Sequence, residues 1–96
     1  GKTPHKIQHD KSLRDLVVEA GRAAMADAGV EPSDIQALYV GNCGSVGFNY
    51  ENSTGLMSAH HLGLVPSGAV RVEAACGTGA WALHLGCTAI LSGLYD

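Results

Sequence analysis

The chain has 96 residues, 46% hydrophobic and 16% charged, with three prolines and a formal net charge of −3 at pH 7. That length suits one small domain, and with Lys2, Lys6 and Lys11 scattered near the start as its whole basic cluster, it has no surface to follow the phosphates of a nucleic acid. Its apolar stretches fall far below the ~18–20 residues of a membrane span, no signal-peptide pattern opens it, and three cysteines without CxxC spacing read as reduced thiols of a cytoplasmic protein.

Residues 1–11 read as a loop. Ser12 followed by Asp15 fits a capping box, with aspartate in the place of the commoner glutamate. Leu13, Leu16, Val17, Ala20, Ala24 and Ala28 then recur at helical spacing, so the pattern predicts an amphipathic helix over 12–28 that stops at Gly29. Its small alanines point to close packing against a sheet. GVEPSD is a turn, and residues 35–40 read as a strand running into the glycine-rich loop GNCGSVG around Cys43. A second helix is expected over 53–62 despite Gly55, capped by Asn52 or Ser53. GLVPSG turns the chain again.

Residues 69–75 are short and mostly uncharged, as a buried parallel strand is. Residues 77–91 form the last and most apolar helix, closing at Gly93. Ala80, Trp81, Leu83, Leu85, Ile90 and Leu91 leave it almost no polar side, the mark of a helix enclosed in a larger body. Three helices alternating with two strands are α/β punctuation. A sheet of two strands has bare edges. Together with an opening that lacks an initiator methionine and an end at Gly93-Leu94-Tyr95-Asp96, this reads as part of a longer protein with further strands elsewhere.

Cys76 stands where the second strand meets the last helix. At a helix start, unpaired N–H groups and the positive end of the helix dipole stabilise a thiolate; a buried cysteine can equally be an inert small hydrophobe. Gly77 and Gly79 permit a tight turn and close backbone approach, and their N–H groups are candidates either to support an oxyanion or simply to shape the turn. Cys87, eleven residues on, is about three turns away and reads as a packing cysteine. Cys43 sits in a loop that can approach the same site. His84 and Cys87 share a helix face at i, i+3, and His60-His61 invites a metal reading, but nothing fixes their distances. His84 reads as a hydrogen-bonded core histidine, one of His60 and His61 as solvated, and Trp81 as a core anchor. GNCGSVG lacks both the phosphate-loop lysine and the GxGxxG spacing, so no nucleotide site is expected.

VEAACGTGAWALHLGCTAILSG resembles the thiolase family: a strand, a reactive cysteine (Cys76), a small-small-glycine run (Gly77-Thr78-Gly79), and a buried helix ending in Ile90, Gly93 and Asp96. SLRDLVVEAGRAAMADAGVEPSDIQALYVGN resembles the first helix and second strand of the same fold, closer to the archaeal, bacterial and sterol-carrier type than to the degradative type. Gly1-Lys2-Thr3-Pro4 resembles the stretch after the family's first strand. The resemblance covers most of residues 1–96 but only part of the first of the family's two similar halves. It places one strand before Gly1 and another after Asp96.

The resemblance implies a partial thiolase-like N-terminal domain, with layered helices around a mixed sheet. It implies an acyl-CoA acyltransferase in which Cys76 carries the acyl group while a 3-oxoacyl-CoA is formed or cleaved. Coenzyme A enters as the substrate's thioester, no separate cofactor or metal is expected, and the family assembles as homodimers or tetramers, with hetero-oligomers as a variant. The base histidine, second cysteine and main oxyanion residues belong to family motifs that these 96 residues lack, so this stretch alone is expected to be inactive. A 3-oxoacyl synthase, a hydroxymethylglutaryl-CoA synthase relative, and a non-catalytic thiolase-like subunit are the alternatives.

Overall fold

The computed structural model describes residues 1–64 and 67–96, with the side chains of Phe48 and Asn49 set aside. Its first helix, α1 (Leu13–Ala28), begins as the capping box predicts. The Ser12 hydroxyl accepts the Asp15 N–H at 3.2 Å, and the Asp15 carboxylate accepts the Ser12 N–H at 2.8 Å. Two donors that a helix start leaves unpaired are thereby satisfied. The helix ends at Gly29, whose φ of +69° lets its N–H turn back onto the carbonyls of Met25 and Ala26.

A 3-10 turn (Pro32–Asp34) leads into strand β1 (Ala37–Gly41). The chain then crosses through the short helix α2 (Ser45–Asn49) and helix α3 (Thr54–Leu62) to strand β2 (Gly68–Val72). The two strands pair in parallel, with Ala37 opposite Gly68 and Gly41 opposite Val72. A parallel pair requires such a crossover, because no tight turn can bring the second strand back in the same direction. A second 3-10 turn (Ala75–Gly77) precedes helix α4 (Thr78–Leu91). Val65 and Pro66 of the GLVPSG turn lie outside the described residues. Among the described residues, no helix is long and apolar enough to cross a membrane.

The layers follow from the strand pleat. Leu38 packs into the cluster formed by Ala59, Leu62 and Leu64, whereas a side chain added at Gly86 of α4 would meet its neighbour Tyr39. Successive strand residues point to opposite faces, so α3 covers one face of the sheet and α4 the other. On α3, the buried residues Thr54, Gly55, Ser58, Ala59 and Leu62 make one stripe. That stripe lies so close to β2 that a Cβ on Gly55 would sit 3.0 Å from the Val70 carbonyl carbon and 3.1 Å from the Arg71 nitrogen.

Helix α1 packs chiefly on α3 rather than on the sheet its alanines suggest. It packs on the outer side of α3, where Val17 and Met25 join the core cluster and Gly21 makes room for Leu62. Its Ala20–Ala24 side receives the backbone of Gly1 instead, and Ala24 and Ala28 are exposed. The second strand is shorter than predicted, ending at Val72 rather than residue 75. The loop around Cys43 contains the unpredicted α2. Ser53 does occupy the N-cap of α3, but its side chain makes no capping hydrogen bond.

Enlarging Gly55 drives atoms into backbone rather than into a movable side chain. Gly55→Val in the full-length protein is therefore expected to lower stability by roughly 1–3 kcal/mol, read as a lower melting temperature. The capping box has a pH signature. The Ser12 hydroxyl, then its N–H, hold the Asp15 carboxyl below its ordinary value. Their contribution is present above the unfolded carboxylate pKa and is lost as pH falls through the lowered folded one. The melting-temperature deficit of Asp15→Ala should be largest at neutral pH and close in acid.

Candidate active site

Two loops leave the carboxyl ends of the parallel strands side by side, the edge at which open α/β sheets place their ligands. The Asn42 N–H, just past β1, donates to the Val72 carbonyl at 3.1 Å, so the pairing persists into the first loop. The Asn42 side-chain oxygen then accepts the N–H groups of Gly44 (3.1 Å) and Ser45 (2.8 Å), a local turn that starts α2 and leaves Cys43 exposed. At the end of β1, a Cβ on Gly41 would lie 3.0 Å from both the methyl group and the carbonyl oxygen of Thr78. The start of α4 is thus seated directly on the end of the neighbouring strand.

Cys76 occupies the middle of the 3-10 turn, exposed, two residues before Thr78. Before it, Ala75 has a φ of +46°, in the left-handed region that disfavours any residue with a Cβ. Four hydrogen bonds hold that turn. The Ala75 N–H donates to the Glu73 carboxylate at 2.7 Å. The Thr78 hydroxyl accepts the Ala74 N–H at 2.9 Å and donates to the Ala75 carbonyl at 2.6 Å. The Gly77 N–H donates to the Ala74 carbonyl at 2.9 Å. The N-cap of α4, Gly77, makes no side-chain capping hydrogen bond, so the positive end of the helix dipole, next to Cys76 in the chain, is left uncapped.

Backbone conformation and space do not by themselves require glycine at positions 77 and 79. Gly77 has an ordinary φ of −87°, and a Cβ there would make only ordinary contact with Trp81 at 3.8 Å. Gly79 has open space around it. Positive φ falls on Ala75, and close approach falls on Gly41 and Gly55.

The remaining candidates lie apart from Cys76 or in different surroundings from those expected. Cys87 is on α4, roughly 16 Å of helical rise beyond Cys76, and is exposed rather than packed. Trp81 is 52% exposed, so it anchors no core in these residues. His84 is exposed as well, its ring edge-on to Trp81 at 5.3 Å. His60 is exposed and His61 half-buried, with their rings 5.0 Å apart. Among the described residues, no group of three or more His, Cys, Asp or Glu side chains is placed to hold a metal ion. Shallow clefts of about 330 and 320 Å³ lie at Ser12, Arg14, Glu51 and His61 and at Ala80, Trp81 and His84, and Cys76 lines neither.

Glu73, Ala75 and Thr78 were not legible as site residues. Alanine carries no signal for positive φ, and a threonine opening a helix ordinarily reads as a cap. Asn42 was legible in principle, because an asparagine three residues before a helix start is a turn signal.

Residues 2–96 match the family model described as the N-terminal domain of thiolase. The chain is 45% identical over 87 residues to an acetyl-CoA acetyltransferase of Methanothermobacter thermautotrophicus, a match covering 91% of this chain and 23% of that protein. It is 38% identical over 96 residues to the acetyl-CoA acetyltransferase of Methanocaldococcus jannaschii, covering all of this chain and 24% of that one. A β-ketoacyl-[acyl-carrier-protein] synthase III of Helicobacter hepaticus is 33% identical over 94 residues, 98% of this chain and 28% of that protein. Among solved structures, the tetronic acid condensing enzyme AbyA1 superposes with a TM-score of 0.73 at 25% identity, over 84% of this chain and 25% of that one. The chain thus spans about a quarter of the length of the curated relatives it matches.

Proposed function

The chain belongs to the thiolase family, through the N-terminal domain that residues 2–96 match, and on that premise we propose that it supplies the nucleophile of an acyl-CoA acyltransferase, Cys76. The observation that carries this reading is an exposed cysteine in a strained turn between a parallel strand and an uncapped helix. Cysteine suits the task because a thiolate attacks a thioester well near neutral pH and leaves well afterwards.

In the first step the Cys76 thiolate attacks the acyl-CoA carbonyl. A new carbon–sulfur bond forms, the bond to coenzyme A breaks, and the departing thiolate takes up a proton. In the second step the α-carbanion of another acyl-CoA attacks the Cys76 thioester, releasing a 3-oxoacyl-CoA and restoring the thiolate. Thiolytic cleavage is the reverse. The groups that remove and return protons are assigned to parts of the protein beyond these residues. Gly77 and Gly79 remain candidates to support the turn or the oxyanion, although the Gly77 N–H is engaged with Ala74. The substrate's own coenzyme A thioester suffices, with no separate cofactor. The full-length protein is proposed to work in the cytoplasm as a homodimer or tetramer.

A second reading has the relatives in its favour. The likeness to a β-ketoacyl-[acyl-carrier-protein] synthase III and to a tetronic acid condensing enzyme suits a condensing enzyme with the same cysteine step and a different acyl acceptor.

The test is intact mass spectrometry of the full-length protein with acetyl-CoA, followed by peptide mapping. The expected result is one acetyl increment on Cys76, removable by hydroxylamine and absent in Cys76→Ala, with turnover reduced on the order of 10⁴-fold or more. Condensation of the loaded enzyme with an acyl-CoA supports the thiolase reading; condensation only with an acyl carrier protein supports the second. A full-length protein that takes no acyl group from acetyl-CoA points to a non-catalytic subunit.

A further inference from the structure

The turn that presents Cys76 is not built to hold itself. Ala75 at a φ of +46° lies in the left-handed region that disfavours a residue with a Cβ, and such a conformation persists only where its surroundings impose it. Two side chains do so. The Thr78 hydroxyl, with its residue only 5% exposed, bridges the Ala74 N–H and the Ala75 carbonyl, so it grips the backbone on both sides of the Ala74–Ala75 peptide. The Glu73 carboxylate takes the remaining donor, the Ala75 N–H. Thr78 is itself fixed by its contact with Gly41 at the end of β1.

We propose that Thr78 and Glu73 are positioning residues for Cys76. Thr78 transmits the position of β1 to the strained turn, Glu73 braces the same turn from its solvent side, and together they aim the thiol from the head of α4. Neither touches the substrate. The inference rests on the reading of Cys76 as the acyl carrier and assigns two residues to its support.

The experiment measures single-turnover acetyl transfer from acetyl-CoA to Cys76 in the full-length protein. Thr78→Val keeps the shape but leaves the Ala74 N–H without its acceptor and removes the second hydrogen bond to Ala75. It is expected to slow loading roughly 10- to 100-fold, the scale of a nucleophile displaced by about 1 Å, with KM for acetyl-CoA little changed. Thr78→Ser keeps the hydroxyl and should stay within about threefold of the parent. Glu73→Gln keeps an acceptor oxygen and should also load well, whereas Glu73→Ala should not. Glycine adopts positive φ without strain, so in an Ala75→Gly background the further loss from Thr78→Val should shrink to within about threefold, a coupling that a merely structural role does not produce.

Equal loading by parent and Thr78→Val overturns the inference, as does an undiminished Thr78→Val penalty in the Ala75→Gly background. If Thr78→Val fails to fold, the Glu73 pair decides alone, since that side chain is exposed: equal loading by Glu73→Ala and Glu73→Gln overturns the inference. A parent that takes no acyl group on Cys76 defeats the proposed function and this inference with it; a parent that loads normally alongside an unaffected Thr78→Val defeats the inference only.

Discussion

The contact between the end of β1 and the first residue of α4 decides where everything else can sit. Gly41 meets Thr78 with no space for another carbon, so the helix carrying the site is registered against a strand rather than suspended from the end of its own loop. β1 in turn is held by parallel pairing with β2, and that pairing exists because α3 packs tightly enough on β2 to return the chain in the same direction. At Gly41 and Gly55 a missing side chain determines the geometry. Close approach of this kind exchanges one residue's packing for a rigid spacing between elements, and rigid spacing is what a chemically reactive turn requires.

The two faces of the sheet are finished to different degrees. On one face, α3 buries a stripe of small residues and α1 covers its outer side, giving the cluster around Ala59, Leu62 and Leu64. On the other, α4 lies against the strands but keeps Trp81 52%, Leu83 71%, Ile90 58% and Leu91 88% exposed. Exposed large apolar side chains in this number on one helix are the kind of surface that marks an interaction site. A chain spanning about a quarter of its relatives' length has ample polypeptide in those relatives to cover it. The all-round apolar composition of 77–91 is thus met as exposed apolar side chains, and Trp81, His84 and Cys87 are not core residues among the described residues.

What was legible in the sequence was what local chemistry determines. The capping box at Ser12 and Asp15, the stop at Gly29, two short strands and the placement of Cys76 between strand and helix follow from neighbouring residues, and all are found. The five residues of α2 are too few to display a helical period. The partner of α1 was misread because small residues announce close packing without saying against what; here Gly21 faces Leu62 of α3, and the Ala20–Ala24 stretch faces the backbone of Gly1. The same limit holds for close approach between elements. Gly77 and Gly79 flank the interesting residue in sequence, yet the glycines that matter sterically come from 35 residues before it and from α3. Contacts between distant segments leave no mark on either segment alone.

The strain at Ala75 is better understood as a consequence of two demands than as a defect. A strand arriving at β2 must turn within a few residues to place α4 back on the sheet, and the turn must leave the Cys76 side chain outside. A glycine at position 75 would meet the first demand without strain, but an unfolded chain carrying it has more backbone conformations to give up on folding. Alanine removes many of those conformations. Its unfavourable φ is offset by hydrogen bonds from groups that are in place only when α4 is docked and Glu73 has reached back. The turn therefore takes its shape from the assembled sheet and helix, so the geometry around Cys76 is a product of tertiary structure as well as of the Cys76-Gly77-Thr78-Gly79 run.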